Sequence, residues 1–375
     1  MIKNLKTHLL LAASLTLCLS GVAHSAEKTD QPLTAYYIGN SLTRNLPLER
    51  LQLLFDASGT PYRYGMQLNG GHTLDKHLSK RNHSNKPGQG TYNIDKAFGT
   101  YDEAFRKHTF DAVVLQPYTK ELDAEPKITK GWPFFECGDL QAASGFIDYA
   151  RGKSPEGSGR WDYDNPNRGH EAASNFYIYA TWPNTKMILE QEGEKSYANY
   201  YARPYTGGIQ PSADFFKQLV ERLNAAHPDL KQPVRLIPAG EVLAVLDQKI
   251  RAGKLPGIEA FYKRNQPYFL KARRNNKGKS QFDPEAFDST AGVLNFYADG
   301  IHLNDQPHNA ADSGTIGSYT AALTVYTVLT GKSPVGLTAK PYEQFDESVD
   351  AVLIKALQST VWEVVSSNPL TGVAK

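Results

Sequence analysis

The sequence predicts an α/β fold built on a largely parallel sheet, and three observations carry this. Short apolar runs rich in β-branched and aromatic residues alternate along the chain with longer stretches of helical periodicity. That order is expected when each strand is followed by a helix that crosses back over the sheet. One run, Val113-Val114-Leu115, is apolar without alternation, as in a central strand covered on both faces. Finally, Ser41 follows the first strand directly, at the end of the sheet where folds of this class bind ligands, so the reading is self-consistent.

The elements follow in order. Strands are predicted over Ala35–Ile38, Tyr62–Gln67, Ala112–Gln116, Phe176–Ala180 and Val234–Ile237, and helices over Leu46–Ala57, Gly138–Ala150, Ala213–Ala226, Gly240–Ala252, Gly314–Leu329 and Asp346–Val364. Ser313 and Asp346 are placed to cap the last two helices, because their short side chains can accept from the unpaired first-turn N–H groups. Gly331 follows the penultimate helix as a stop, since glycine enters the left-handed conformation at little cost. Five strands with intervening helices fit a flavodoxin-like three-layer α/β/α sandwich with a central parallel five-stranded sheet. In such a sheet ligands bind at the carboxyl ends of the strands.

A minimal fold of this type needs only about 200 residues, and this chain has 375. The surplus falls in three insertions, about 81–110, 120–175 and 253–294, rich in Gly, Pro, Asn and charge. The middle one carries Trp132, Phe134, Phe135, Trp161 and Tyr163. Loops after strand ends are where α/β folds build their substrate sites, so part of this material is expected to wall the site. The rest would pack outside the sheet. Otherwise residues 27–375 read as one domain.

Residues 1–26 read as an export signal. Lys3 and Lys6 form a basic start, Leu9 to Leu19 an apolar core short for a bilayer, and Ala23-His24-Ser25-Ala26 a small-residue cleavage region. Leu17 before Cys18 is wrong for a lipoprotein box. The expectation is an exported protein, periplasmic or extracellular, with no integral membrane segment. Without the two signal lysines, 39 Lys and Arg face 39 Asp and Glu, a balance that gives no general attraction to nucleic acid. The basic run from Lys271 to Lys277 reads as a solvated loop. After Cys18 is removed one cysteine remains, Cys137, so no internal disulfide is available. It reads as a small buried hydrophobe.

Two short patches carry the chemistry. Tyr37-Ile38-Gly39-Asn40-Ser41-Leu42-Thr43 ends the first strand in a small-residue turn with a serine at its tip, and Asp299-Gly300-Ile301-His302 sets a carboxylate three residues before a histidine. Together they can supply a nucleophile, a general base and the group that orients the base. Each patch alone has an ordinary structural reading: Ser41 or Thr43 as a helix cap, and Asp299 as a turn residue. No G-x-S-x-G elbow, H-E-x-x-H, C-x-x-C, P-loop or G-x-G-x-x-G occurs, so no metal, nucleotide or other cofactor is assigned.

The pair resembles the SGNH/GDSL hydrolase superfamily, whose first block is a strand ending in G-[DN]-S and whose last is D-x-x-H. The likeness touches blocks between about residues 34 and 336 and leaves the insertions unmatched. It implies Ser41 as nucleophile, His302 as base and Asp299 as its partner. The family's second block, a glycine before a small hydroxyl residue, corresponds to Asn69-Gly70-Gly71-His72-Thr73-Leu74, with Gly71 as a second oxyanion donor beside Ser41. His72 and His77 read as wall or structural residues. The third block departs from the pattern: where the family offers an asparagine, this chain has Gln116, whose carboxamide on one extra methylene is the expected third donor, the alternative being that it only ties loops together and leaves two donors.

The resemblance therefore implies a serine esterase with an acyl-Ser41 intermediate. Export and aromatic-rich loops point to short acyl groups, such as acetyl, on a carbohydrate, because aromatic faces stack on sugar rings. The alternatives keep the triad for lipid esters, acetyl transfer, or sulfate and phosphate esters, or retire it in a non-catalytic glycan-binding protein. An anionic substrate would need arginines near Ser41, and Arg44, Arg151, Arg160, Arg168 and Arg203 are the candidates.

Overall fold

Tyr36 and Tyr37 are adjacent and both fully buried, as happens when a strand has helices on both of its faces. A computed structural model of the chain describes residues 31–78, 93–94, 97–118, 121–123, 127–128, 135–153, 170–265, 288–303 and 315–374. The expected export signal, Trp132, Phe134, Trp161, Tyr163, Arg160, Arg168 and the basic run 271–277 lie outside the described residues, as does the side chain of Phe135.

The chain enters as β1 (Leu33–Gly39), turns through the short α1 (Ser41–Arg44) into α2 (Leu48–Ala57), and returns as β2 (Tyr62–Leu68). Next come α3 (Leu74–Leu78), β3 (Asn93–Ile94), α4 (Tyr101–Lys107) and β4 (Ala112–Leu115). The two-residue strands β5 (Lys127–Ile128) and β6 (Phe135–Glu136) pair with each other ahead of α5 (Asp139–Ala150). Then follow β7 (Phe176–Tyr179), α6 (Thr185–Leu189), α7 (Tyr197–Tyr201), α8 (Ala213–Ala226), β8 (Arg235–Ile237) and α9 (Ala239–Arg251). Helical residues 258–265 (α10), a 3-10 segment Ser289–Phe296, α11 (Ile316–Thr330) and α12 (Glu347–Ser367) complete the main elements.

The five predicted strands run parallel in the order β2-β1-β4-β7-β8, and β3 adds two antiparallel residues outside β2. The strand after β1 lies to one side of it and every later parallel strand to the other. At such a reversal the first helices leave in opposite directions and open a crevice at the carboxyl ends of β1 and β4. Ser41 lies there.

Helices cover both faces. On one, Tyr36 meets Phe105 of α4 and Phe110 edge-on at 5.3 Å each. On the other, the Tyr37 hydroxyl shares a 2.6 Å hydrogen bond with Tyr62, whose ring stacks on Phe55 of α2. Phe55 in turn packs edge-on against Tyr326 of α11. The helix α11 is buried almost all round, from Ile316 to Val328. It accommodates its threonines by bonding the Thr320, Thr324, Thr327 and Thr330 hydroxyls to carbonyls four residues back.

The predicted element ends lie within three residues of the observed ones, both ends of α8 coincide, and one cap is corrected. The penultimate helix is capped by Thr315, not Ser313, which lies outside the described residues. Thr315 wins because it forms a reciprocal box: its hydroxyl accepts from the Ser318 N–H, and the Ser318 hydroxyl accepts from the Thr315 N–H. Asp346 caps α12 and Gly331 ends α11 at φ 67°, both as predicted. Within the third insertion, α10 packs outside the sheet, where Arg264 pairs with Asp350 at the start of α12. No helix among the described residues is long and apolar enough to cross a membrane.

Candidate active site

The first site segment is shaped by close backbone approach. The carbonyl of Gly39 accepts from the N–H of Asn69 at 3.1 Å and from His77 Nε2 at 2.8 Å. A Cβ on Gly39 would stand 2.8 Å from the Gln116 Cβ and closer still to the Thr43 hydroxyl, so only glycine fits. Asn40 then caps α1, accepting from the N–H of Leu42 at 2.9 Å, while its Nδ2 donates to the His72 carbonyl. Because Asn40 does the capping, Ser41 is spared that role. It sits half-buried at the first helical position. Its N–H has no acceptor among the described residues.

The second segment is the loop that follows the 3-10 helix. Asp299 Oδ1 accepts from the N–H groups of Ile301 and His302 at 2.8 Å each, which fixes the carboxylate in a tight turn. Its Oδ2 takes the Nδ1 proton of His302, also at 2.8 Å. The two side chains are only 16% and 13% exposed. Burial pushes the Asp299 carboxyl up. The bond and charge of His302 and the two backbone N–H groups outweigh it and hold the carboxyl below the ordinary carboxylate range. With Nδ1 on Asp299, Nε2 is the free acceptor of the ring, and it is buried without a hydrogen-bond partner.

The loop is fastened on both sides. The Trp182 indole N–H and the Thr185 N–H donate to the carbonyls of Ile301 and Gly300, each at 2.7 Å, and the Tyr297 hydroxyl donates to Pro183 at 2.8 Å. These ties hold it to the carboxyl end of β7. On the other side the N–H of Leu303 donates to Asn45 Oδ1 at 2.7 Å across 258 residues of sequence. Asn45 is the cap that ends α1, so the residue beside His302 is pinned one helical turn from Ser41. The Thr315 hydroxyl holds the Leu303 carbonyl at 2.6 Å. Upstream, the buried Asp247 accepts from the N–H groups of Val293 and Ala198, and from Arg251 Nε. Gly292, at φ 56°, lets the 3-10 segment press onto that carboxylate.

Gly71 is exposed at φ 68°, a conformation only glycine adopts freely, and its N–H also has no acceptor among the described residues. The turn that carries it is docked on Asn40 through His72, and Asn69 Nδ2 donates to His72 Nε2 at 2.8 Å. Burial holds His72 below its ordinary pKa, against the raising effect of its bond to Gly70. The expectation that Gln116 donates to an oxyanion meets a carboxamide already engaged at both ends. Its Oε1 accepts from the Asn40 N–H at 2.8 Å and from the Thr43 hydroxyl at 3.2 Å, and its Nε2 donates to the Pro117 carbonyl at 2.7 Å. The Asn40 N–H fixes which end is oxygen, so Gln116 braces the serine turn against β4 and has one amide hydrogen left over.

Other candidates are used differently. His77 is buried between Gly39 and Gln67, in keeping with a structural role. Cys137 is buried, as expected of a small hydrophobe. Arg151 is spent on Asp229 at 3.0 Å, and Arg203 lies over the Tyr200 ring. Arg44, three residues beyond Ser41, has no carboxylate within ion-pair distance among the described residues, and its Nε is buried without a partner. No cluster of three potential metal ligands occurs among the described residues. Sequence reading missed Asn45, Trp182 as a hydrogen-bond donor, and Asp247, because each acts on a segment distant in sequence. The capping box Thr100-x-x-Glu103 that starts α4 was available as a signal inside the first insertion.

No family model matches the chain, and no curated protein matches it in sequence. Among solved structures it is similar to a DUF4886 family protein from Bacteroides uniformis, at 18% identity and a TM-score of 0.42, over 89% of this chain and 95% of that one.

Proposed function

We propose that the chain is a serine esterase of the SGNH/GDSL kind. One observation carries the proposal: His302 holds its Nδ1 proton on Asp299 and keeps a buried, unpartnered Nε2, in a loop tied to the helix that Ser41 begins. A buried acceptor without a partner is costly in a folded protein, and general-base work is a reason to keep one.

In this reading the Ser41 hydroxyl attacks the acyl carbon as its proton passes to His302 Nε2, and Asp299 stabilises the imidazolium that forms. The free N–H groups of Ser41 and Gly71 receive the negative charge that develops on the carbonyl oxygen. His302 then returns the proton to the leaving alcohol. Water repeats the sequence to release the acid and restore Ser41. Gln116 serves mainly by bracing the turn that aims the Ser41 N–H. The aromatic residues and polar character of the insertions favour a carbohydrate ester with a short acyl group over a lipid, and residues 1–26 favour export.

The test is hydrolysis of p-nitrophenyl acetate and longer acyl homologues, with Ser41→Ala and His302→Ala as controls. Turnover that is greatest on acetate and lost in both variants is expected. Turnover that survives either substitution, or none on any ester, refutes the reading.

A further inference from the structure

Arg44 is the one arginine from the sequence analysis that the described structure both places beside Ser41 and leaves without an acidic partner. Residues three apart on a helix share a face with Cβ atoms about 5–6 Å apart, and helical side chains lean toward the amino end. The Arg44 side chain therefore lies over the turn that presents Ser41. Its neighbour Arg50 is paired with Glu343 at 2.8 Å, and Arg151 with Asp229. Among the described residues Arg44 has no such carboxylate, and Glu49 acts on it only from a distance. Its Nε is sealed from solvent with nothing to bond, while its terminal nitrogens are not among the sealed atoms. A guanidinium so arranged is half desolvated and open at its outer edge, the edge that grips an oxyanion in two parallel bonds.

We propose that Arg44 is a substrate-binding residue that anchors an anionic group on the alcohol side of the ester, so that the preferred substrates are acyl esters of acidic sugars. The inference rests on the esterase reading for its chemistry but not for its binding. The anion is not the bond that breaks. It fixes the sugar so that the acyl group reaches Ser41, and a neutral sugar ester forgoes that hold.

The binding arm uses the Ser41→Ala protein, titrated calorimetrically with galacturonate, galactose 6-sulfate and galactose. At least one acid should bind about tenfold or more tighter than galactose, and adding Arg44→Gln should remove the difference. Which acid wins tells carboxylate from sulfate. Arg44→Lys, which keeps the charge but not the fork, should retain part of the preference and guards against a folding artefact. In the kinetic arm, the ratio of kcat/KM on acetylated galacturonate to that on p-nitrophenyl acetate should fall about 10- to 100-fold in Arg44→Gln. Equal binding of all three sugars, or acid binding unchanged in Arg44→Gln, overturns the proposal even where Ser41-dependent turnover is found. Acid binding that depends on Arg44 in a protein without ester turnover supports the anion site and sinks the esterase reading alone.

Discussion

Replacing Asn45 by alanine removes the acceptor that holds the N–H of Leu303. Both residues are fully buried. A buried N–H left unsatisfied costs about 1–3 kcal/mol. The space vacated by the carboxamide adds on the order of 1 kcal/mol. The change also deletes Nδ2, itself buried without a partner, which offsets part of the loss. A net destabilisation of about 1–3 kcal/mol is expected, read as the change in unfolding free energy in urea. Activity should suffer more than stability. Leu303 is bonded to His302, and a displacement of about 1 Å in a reacting group can cost on the order of 100-fold in rate. The assay is the labelling rate of Ser41 by an aryl fluorophosphonate, well below the unfolding transition, beside kcat/KM on p-nitrophenyl acetate. A variant that loses the expected stability but labels Ser41 at the parent rate would refute the idea that this tie positions the base.

Three other substitutions follow from the same geometry. Asp299→Asn should lower kcat by on the order of 10⁴, since the ring then holds the wrong tautomer. The Asp299 carboxyl is more acidic folded than unfolded, so its stabilisation is full above the ordinary carboxylate pKa and fades as pH falls through the lowered value. The stability gap between parent and Asp299→Asn should therefore narrow in acid, and a gap independent of pH between neutrality and acid would contradict this. Gln116→Met keeps length and packing but leaves the Asn40 N–H without an acceptor, at a cost of about 1–3 kcal/mol. Parent-like stability with a 10²- to 10³-fold loss of kcat, roughly the effect of one oxyanion donor, would show that Gln116 acts on the oxyanion and not as a brace. Asp247→Ala strands two backbone N–H groups and Arg251, and should cost about 3–5 kcal/mol. Unfolding curves that barely move would remove Asp247 as the anchor of the 3-10 segment.

Strand positions were legible because an apolar run such as Val113-Val114-Leu115 has little else to become, and a helix such as α8 because its burial repeats at helical spacing. The short helices α1, α3, α6 and α7 were not, since four or five residues give periodicity nothing to repeat. The order of strands follows from pairing across the sheet, which no local pattern encodes. In the site, Asp299 and His302 could be linked from their spacing because three residues bring them together in one turn. Asn45 and Leu303 could not, because their bond depends on how two distant loops meet. Gln116 shows the middle case. Its residue type suggested a donor, while its use as an acceptor follows from the orphan N–H of Asn40, visible only once the turn is built.

Leu303 lies between the end of the first helix and the beginning of α11, with its side chain against Gly317 and both backbone groups held. This ordering has a temporal side. During synthesis Ser41 is made early and His302 late, and the clamp that brings their segments together cannot close until most of the polypeptide exists. In the proposed reading, an unfinished or truncated chain carries the serine but not the base that would activate it. A reagent that marks Ser41 would then report the completion of the whole molecule, not the state of its own corner.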